Sequence, residues 1–218
     1  VNATHPSTIQ WTIRSLTIPS EMQQGFDCVS QPESALCNLY GAHTVSMQED
    51  GTLLVTDTSN SRILWLDQPE DGTDTAHVKH MLSSEHPEWG SERFPNMVQP
   101  ISVDGTEHLL ITHKGNSEPG TSNKGSIVLW NVHDRSNPRR VWSYPDTGHL
   151  AAVHSGQVFE TPQGSLLLYA HSLGAAHDES DDREGTVGFA SFNGVTKPTY
   201  LADGRLPDPG LGFTREVE

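Results

Sequence analysis

Short apolar runs separated by polar turns recur along the chain, and this pattern predicts β-strands. The clearest case is DGTLLVTDTSNSRILWLD, residues 50–67, in which Leu53–Val55 and Ile63–Leu66 flank a polar loop around Asn60. Two apolar runs joined by a few polar residues are typical of a β-hairpin. No apolar repeat of helical period persists for more than about two turns, so we predict an all-β fold.

The same hairpin pattern occurs three times. DGTEHLLITH begins at Asp104 and is followed by GSIVLWN from Gly125, and QGSLLLYAH begins at Gln163 and is followed by GTVGFAS from Gly185. Aligned on their Leu-Leu pairs, the repeats begin roughly 55 to 60 residues apart, which is close to the length of a four-stranded propeller blade. We therefore predict a β-propeller of four-stranded antiparallel blades.

Three blades are predicted, together with one isolated outer strand, TIQWTI at 8–13, which resembles RVWSY at 140–144. Three blades do not close a ring, because single-chain propellers have four to eight. The chain is thus one propeller domain over residues 1–218 with a fourth blade still unrecognised, a fragment of a longer protein, or half of a six-bladed ring completed by a second copy. The predicted blades span approximately residues 41–83, 96–145 and 150–202. The predicted strands are 43–47, 52–56, 62–66 and 77–82; 97–103, 107–112, 126–131 and 139–144; and 153–160, 165–170, 186–192 and 197–201.

The alternation within these strands also predicts which side chains form the core. The predicted core positions are Val45, Leu54, Leu64, Ile101, Leu110, Val128, Val158, Leu167 and Val187.

In an open propeller, sheet edges and apolar blade faces are exposed, so we expect a partner surface to cover them.

The composition narrows the classes of partner. The net charge is −15, from 28 acidic and 13 basic residues, and such a charge repels both a nucleic-acid backbone and an anionic membrane surface. We therefore expect no nucleic-acid partner. The longest apolar runs have about five or six residues, far short of the ~20 that a membrane-spanning helix needs, so we expect no membrane span.

The two cysteines predict the compartment. Cys28 and Cys37 lie close together in a polar segment, and we expect them to form a disulfide; two unpaired thiols are the alternative. Asn2 begins an Asn-Ala-Thr triplet, which is an acceptor for N-glycosylation. The chain also begins at Val1 without a methionine, as a processed or excised protein does. These features favour a secreted or extracellular protein.

The candidate catalytic and ligand-binding residues lie where the predicted strands begin and end. In a propeller blade, the loop that enters the inner strand and the loop that leaves the second strand open on the same face. His43 and His154 enter inner strands, while Asp57, His113 and His171 leave second strands, so we expect all five at one rim of the central channel, with Asn60 and Asn116 in the exit loops. Twelve histidines make metal binding or acid–base chemistry accessible to such a rim. The alternative is a histidine excess without a functional cluster.

One predicted rim loop is strongly acidic. The run HDESDDRE at 177–184 contains five carboxylates, and Ca²⁺ prefers six to eight oxygen ligands. Its spacing is not that of the helix-loop-helix calcium motif, and a charged loop is often only solvated. Ca²⁺ is thus a candidate cofactor. The candidate ligands are His177, Asp178, Asp181 and Asp182.

Two family resemblances follow from these motifs. Residues 51–67 resemble an NHL-type propeller repeat, since Asp57, Asn60, Arg62 and Ile63 match its Asp-x-x-Asn-x-Arg-Ile pattern. Over more of the chain, the tryptophan-bearing strands IQW and RVW, the histidines of GAHTVSM and AVHSGQV, and the Gly-x-Leu-Leu hairpins are similar to the arylsulfotransferase family of propellers.

The second resemblance implies sulfuryl transfer between phenols through a sulfated histidine, with other residues binding the sulfuryl oxygens. It implies that His43 and His154 are the catalytic candidates and that Asn60 and Arg62 bind the anion. The alternative is a non-catalytic propeller that binds proteins or glycans, or that serves as an assembly module. The remaining candidate residues for a small-molecule or glycan ligand are Asp57, His113, Asn116 and His171.

Overall fold

The computed structural model describes residues 12–23, 28, 30–69, 73–115, 125–145, 152–172 and 185–205. These residues contain thirteen β-strands and no α-helix. The strands are β1 Ser15–Thr17, β2 Ala42–Met47, β3 Leu53–Asp57, β4 Arg62–Leu66, β5 Thr75–Ser83, β6 Pro95–Val103, β7 Thr106–His113, β8 Ser126–Asn131, β9 Arg139–Tyr144, β10 Ala152–Thr161, β11 Gly164–Ser172, β12 Gly185–Asn193 and β13 Thr196–Arg205. The prediction of an all-β fold is confirmed.

Strands β2 to β13 form three successive antiparallel sheets. Sheet 1 contains β2 to β5, sheet 2 contains β6 to β9 and sheet 3 contains β10 to β13, each in chain order. All twelve strands predicted within the three repeats are present. The turn between β6 and β7 illustrates how local sequence specifies a hairpin. Asp104 and Gly105 both have positive φ angles, 49° and 73°, as in the two-residue hairpin turn that Asp-Gly favours.

The strand predicted at 8–13 falls mostly outside the described part of the chain, which begins at Thr12, and Thr12 and Ile13 are not in a strand. A different amino-terminal strand, β1, pairs in parallel with β5 as a fifth strand of sheet 1, with Ser15 opposite Thr75. This pairing was not predicted, because alternation identifies a half-buried strand without identifying its neighbour.

Sheet 2 packs between the other two sheets. Neighbouring residues of a strand point to opposite faces, so Leu109 of β7 packs toward sheet 1 while Leu110 packs toward sheet 3. The first interface also contains Trp65 of sheet 1, Trp130 of sheet 2 and Trp89 of the β5–β6 loop. A strand in a sheet covered on both faces has a continuous apolar run in its sequence, such as LLI at 109–111 in β7. Within the described residues, the three sheets do not close into a ring.

The other face of sheet 1 is covered by the segment before β2. Ile18, Met22, Cys28 and Leu39 pack against the core cluster of that face. We call the described residues between Ile18 and Tyr40 the amino-terminal cover. The Cys28–Cys37 disulfide closes a loop within it, with the two Cα atoms 5.4 Å apart, and so confirms the predicted pairing.

Most of the predicted core positions are buried. Leu54, Leu64, Leu110, Val128 and Leu167 are buried, and Ile101 and Val158 pack at the margin of the interface between sheets 2 and 3. Val187 is partly exposed. The prediction for Val45 was wrong: its side chain is 65% exposed, because β2 is an edge strand that the amino-terminal cover leaves open. In the part of the chain that the structure describes, no helix has the length and apolar character needed to cross a membrane.

Candidate functional site

The first strands of the three sheets share one register. Ala42, Pro95 and Val153 pair with Asp57, His113 and His171, respectively, which lie at or next to the ends of β3, β7 and β11. The residue that follows each is therefore structurally equivalent in the three sheets. These equivalent residues are His43, Asn96 and His154.

Each of the three first strands is irregular at this residue. The pairing register shifts between Ala42 and Val45 in β2, between Pro95 and Met97 in β6, and between Val153 and Ser155 in β10. A β-bulge bends its strand and re-aims the side chain at that point, and bulges are over-represented next to functional sites. We call His43, Asn96 and His154 the bulge cluster.

The three side chains come together in space. The ring centroids of His43 and His154 are 6.5 Å apart. The Asn96 amide donates to the backbone carbonyl of His154 at 2.6 Å, and its Nδ2 lies 3.5 Å from Nδ1 of the His154 ring. Asn96 is buried, His154 is partly exposed and His43 is exposed. The cluster thus has one accessible imidazole, a second imidazole beside it, and a fixed amide.

His43 and His154 were singled out by the sequence, and Asn96 was not. PNMV at 95–98 aligns with AHTV at 42–45 only when the ends of the second strands are superimposed, and that register comes from strand pairing. The position of Asn96 was therefore not predictable from its own sequence segment.

The three residues predicted to leave second strands are in the interior. Asp57, His113 and His171 are buried at the same end of the sheets as the bulge cluster. The ring of His113 packs edge-on against Trp89, with centroids 5.2 Å apart, and the ring of His171 lies 5.4 Å from that of Tyr169.

Asp57, Asn60 and Arg62 form an internal network. Arg62 Nε donates to Asp57 Oδ2 at 2.7 Å, and the Asn60 amide donates to the same oxygen at 2.9 Å. Asp57 Oδ1 accepts the backbone N–H of Tyr40 at 2.7 Å. Only 2% of the Arg62 side chain is exposed, so its charge is balanced by Asp57 within the protein.

The same network holds the disulfide loop. Arg62 donates to the carbonyl oxygens of Leu36 and Asn38 at 2.8 and 2.9 Å, and Asn60 donates to that of Ala35 at 2.8 Å. These carbonyls belong to the amino-terminal cover. The residues that carry the NHL-type pattern therefore attach the cover to sheet 1.

Burial lowers the pKa of His113. Desolvation is the largest effect and, with the positive charges of Arg140 and Arg93, it lowers the pKa of His113 to about 3, although a hydrogen bond with the backbone of Arg93 acts in the opposite direction. The folded protein thus holds this imidazole neutral at pH 7.

We expect the stability of the protein to fall in mild acid because of His113. Its pKa is lower in the folded state than the ordinary 6.5, so the unfolded chain binds the proton more tightly. The free energy of unfolding should fall by roughly 1 kcal/mol per pH unit below 6.5, until the folded-state pKa is reached. Urea unfolding at several pH values should show that His113→Gln removes this slope. His133→Gln, at an exposed histidine, should retain it.

Several predicted site residues lie outside the described residues: Asn2, Asn116, His177, Asp178, Asp181 and Asp182. Among the residues that the structure does describe, no group of three or more His, Cys, Asp or Glu side chains could hold a metal ion.

The two imidazoles differ in accessibility. Their ring centroids are 6.5 Å apart, the His43 ring is exposed, and Nε2 of His154 is buried. An imidazole can also act as a nucleophile or transfer a proton near neutral pH.

In comparisons with known proteins, no protein-family model and no curated protein matches this chain.

Proposed function

We propose that this chain is an extracellular arylsulfotransferase-like β-propeller in which the bulge cluster transfers a sulfuryl group between phenols. The observation that carries the proposal is the bulge shared by three sheets, which brings His43 and His154 into one site. The propeller proposal is supported by three successive sheets, of five, four and four strands, that pack face to face. The disulfide supports an oxidising compartment.

His43 is the nucleophile in this proposal, because its ring is exposed at the site. A ring nitrogen of His43 attacks the sulfur of an aryl sulfate, the bond between sulfur and the phenolic oxygen breaks, and the leaving phenolate takes a proton from the His154 imidazolium. The oxygen of an acceptor phenol then attacks the sulfur. The nitrogen–sulfur bond breaks, its electron pair returns to His43, and the phenol proton goes to His154. The cycle needs no other reactant.

Asn96 is a positioning residue. Its amide fixes the backbone of His154 and lies next to the ring, so it restrains the second imidazole toward the first. Its removal should impair proton transfer more than binding of the donor. Because precise placement of catalytic groups supplies a large part of the rate, a loss of about tenfold in kcat is expected for Asn96→Ala with little change in KM.

Turnover of 4-nitrophenyl sulfate with phenol as acceptor tests the proposal. We expect His43→Ala and His154→Ala each to lower kcat/KM by at least ~100-fold, since nucleophilic and acid–base groups contribute on that scale. His133→Ala, at an exposed histidine in the loop between β8 and β9, should match the wild type. Mass spectrometry of the quenched protein should find sulfate on His43. Absence of transfer by the wild-type protein, or full activity of His43→Ala, would contradict the proposal and favour a non-catalytic binding or assembly module.

A further inference from the structure

The three sheets present equivalent residues toward the next sheet in the series. Leu54, Leu110 and Leu168 lie three positions before Asp57, His113 and His171, and they pair with Trp65, Leu129 and Phe189, respectively. Equivalent positions in a shared register point to the same face. The set is completed by Ile63, Ile127 and Val187.

These positions differ in exposure only in the last sheet. In sheets 1 and 2 the equivalent residues are buried by the sheet that follows. In sheet 3, Leu168, Val187 and Phe189 are all partly exposed. We call these three residues the open face of sheet 3. The residues at the same positions in sheets 1 and 2 contact the sheet that follows.

A matching surface lies at the other end of the series. Val45 and Met47 of β2 pair with Val55 and Leu53, just as Val98 and Pro100 of β6 pair with Ile111 and Leu109. Val98 is 5% exposed because it packs against sheet 1, whereas the equivalent Val45 is 65% exposed. Met47 is 60% exposed. We call Val45 and Met47 the open edge of sheet 1.

The exposed large apolar side chains lie in sheet 1 with its cover and in sheet 3, but those of sheet 3 are outside its open face. Among the residues that the structure describes, seven such side chains are exposed by more than a third, and sheet 2 contains none of them. Leu36, Tyr40, Val45 and Met47 belong to sheet 1 and its cover, and Val195, Tyr200 and Leu201 belong to sheet 3.

We propose that two copies of this chain associate head to tail, with the open face of sheet 3 in one copy on the open edge of sheet 1 in the other. The contact resembles those between sheets 1 and 2 and between sheets 2 and 3 only along the open edge, because Leu53 and Val55, the equivalents of Leu109 and Ile111, are already buried under the amino-terminal cover. Such a heterologous contact closes when the rotation permits. Two copies supply six sheets, within the four to eight of propellers. The contact uses the inner part of sheet 1, because Ile18 and other residues of the cover occupy the rest.

Native mass spectrometry and sedimentation velocity test the association independently of sulfuryl transfer. We expect a dimer for the wild-type protein. Met47→Arg and Phe189→Arg should each weaken association by at least tenfold, because a charge would be buried against apolar residues. Ser102→Arg, at an exposed position of sheet 2, should remain dimeric. Far-ultraviolet circular dichroism checks folding, and Val45→Arg and Leu168→Lys replace any variant that does not fold.

A mixture of the two single variants gives the decisive result. Met47→Arg retains an intact open face and Phe189→Arg retains an intact open edge, so the mixture can form one undamaged contact. We expect association to be restored in the mixture only. A monomeric wild-type protein, a dimer that both variants leave unchanged, or a mixture no stronger than its components would overturn the proposal.

Discussion

Replacing Arg62 by methionine is expected to lower the free energy of unfolding by about 3–5 kcal/mol, the cost of breaking a buried ion pair from one side. The substitution keeps most of the side-chain volume but leaves the buried Asp57 carboxylate without its cation. It also removes the donors to the carbonyl oxygens of Leu36 and Asn38. A buried charge without a partner and unsatisfied carbonyls act in the same direction.

Arg139→Met is the matched control for this experiment. Arg139 also pairs with a carboxylate, that of Glu88, but 63% of its side chain is exposed. Solvent screens such pairs, and the expected loss is no more than about 1 kcal/mol. Urea unfolding of both variants at pH 7 measures the difference. Equal losses for the two arginines would mean that the Asp57–Arg62 pair is solvated and does not hold the amino-terminal cover.

Replacing Trp89 by alanine is expected to lower the free energy of unfolding by about 3–5 kcal/mol, which is the second large effect. Trp89 lies in the loop between sheets 1 and 2, yet its ring is buried against Trp130 and His113, with centroid separations of 6.1 and 5.2 Å. Its Nε1 also donates to the carbonyl of Glu92 at 2.9 Å. The substitution removes a large apolar contact from the core between two sheets and leaves a cavity there.

Tyr40→Ala provides the comparison for Trp89→Ala. Tyr40 is also an aromatic residue in a loop, but 59% of it is exposed, so its truncation should cost less than about 1 kcal/mol. Thermal and urea unfolding of both variants, with circular dichroism as the signal, would separate the two cases. A loss below 1 kcal/mol for Trp89→Ala would show that the β5–β6 loop is not part of the core.

The strands and turns of this protein were predictable because their causes are local. Each apolar run is short, each is bounded by turn residues, and the Asp104-Gly105 pair specifies its hairpin by backbone conformation alone. The disulfide was predictable for the same reason, since Cys28 and Cys37 are only 9 positions apart. The convergence of His43 and His154 followed from the repeat, because equivalent positions in successive sheets occupy equivalent places.

The parallel pairing of β1 with β5, the exposure of Val45 and the burial of Arg62 depended on the tertiary structure. Each of these depends on which distant segment covers a face or an edge, and alternation along a strand carries no information about that neighbour. The amino-terminal cover decides two of them: it brings carbonyl groups to Arg62, and it stops short of Val45. The equivalence of Asn96 with His43 and His154 likewise depended on strand pairing, because a bulge is a property of paired strands and not of one sequence segment.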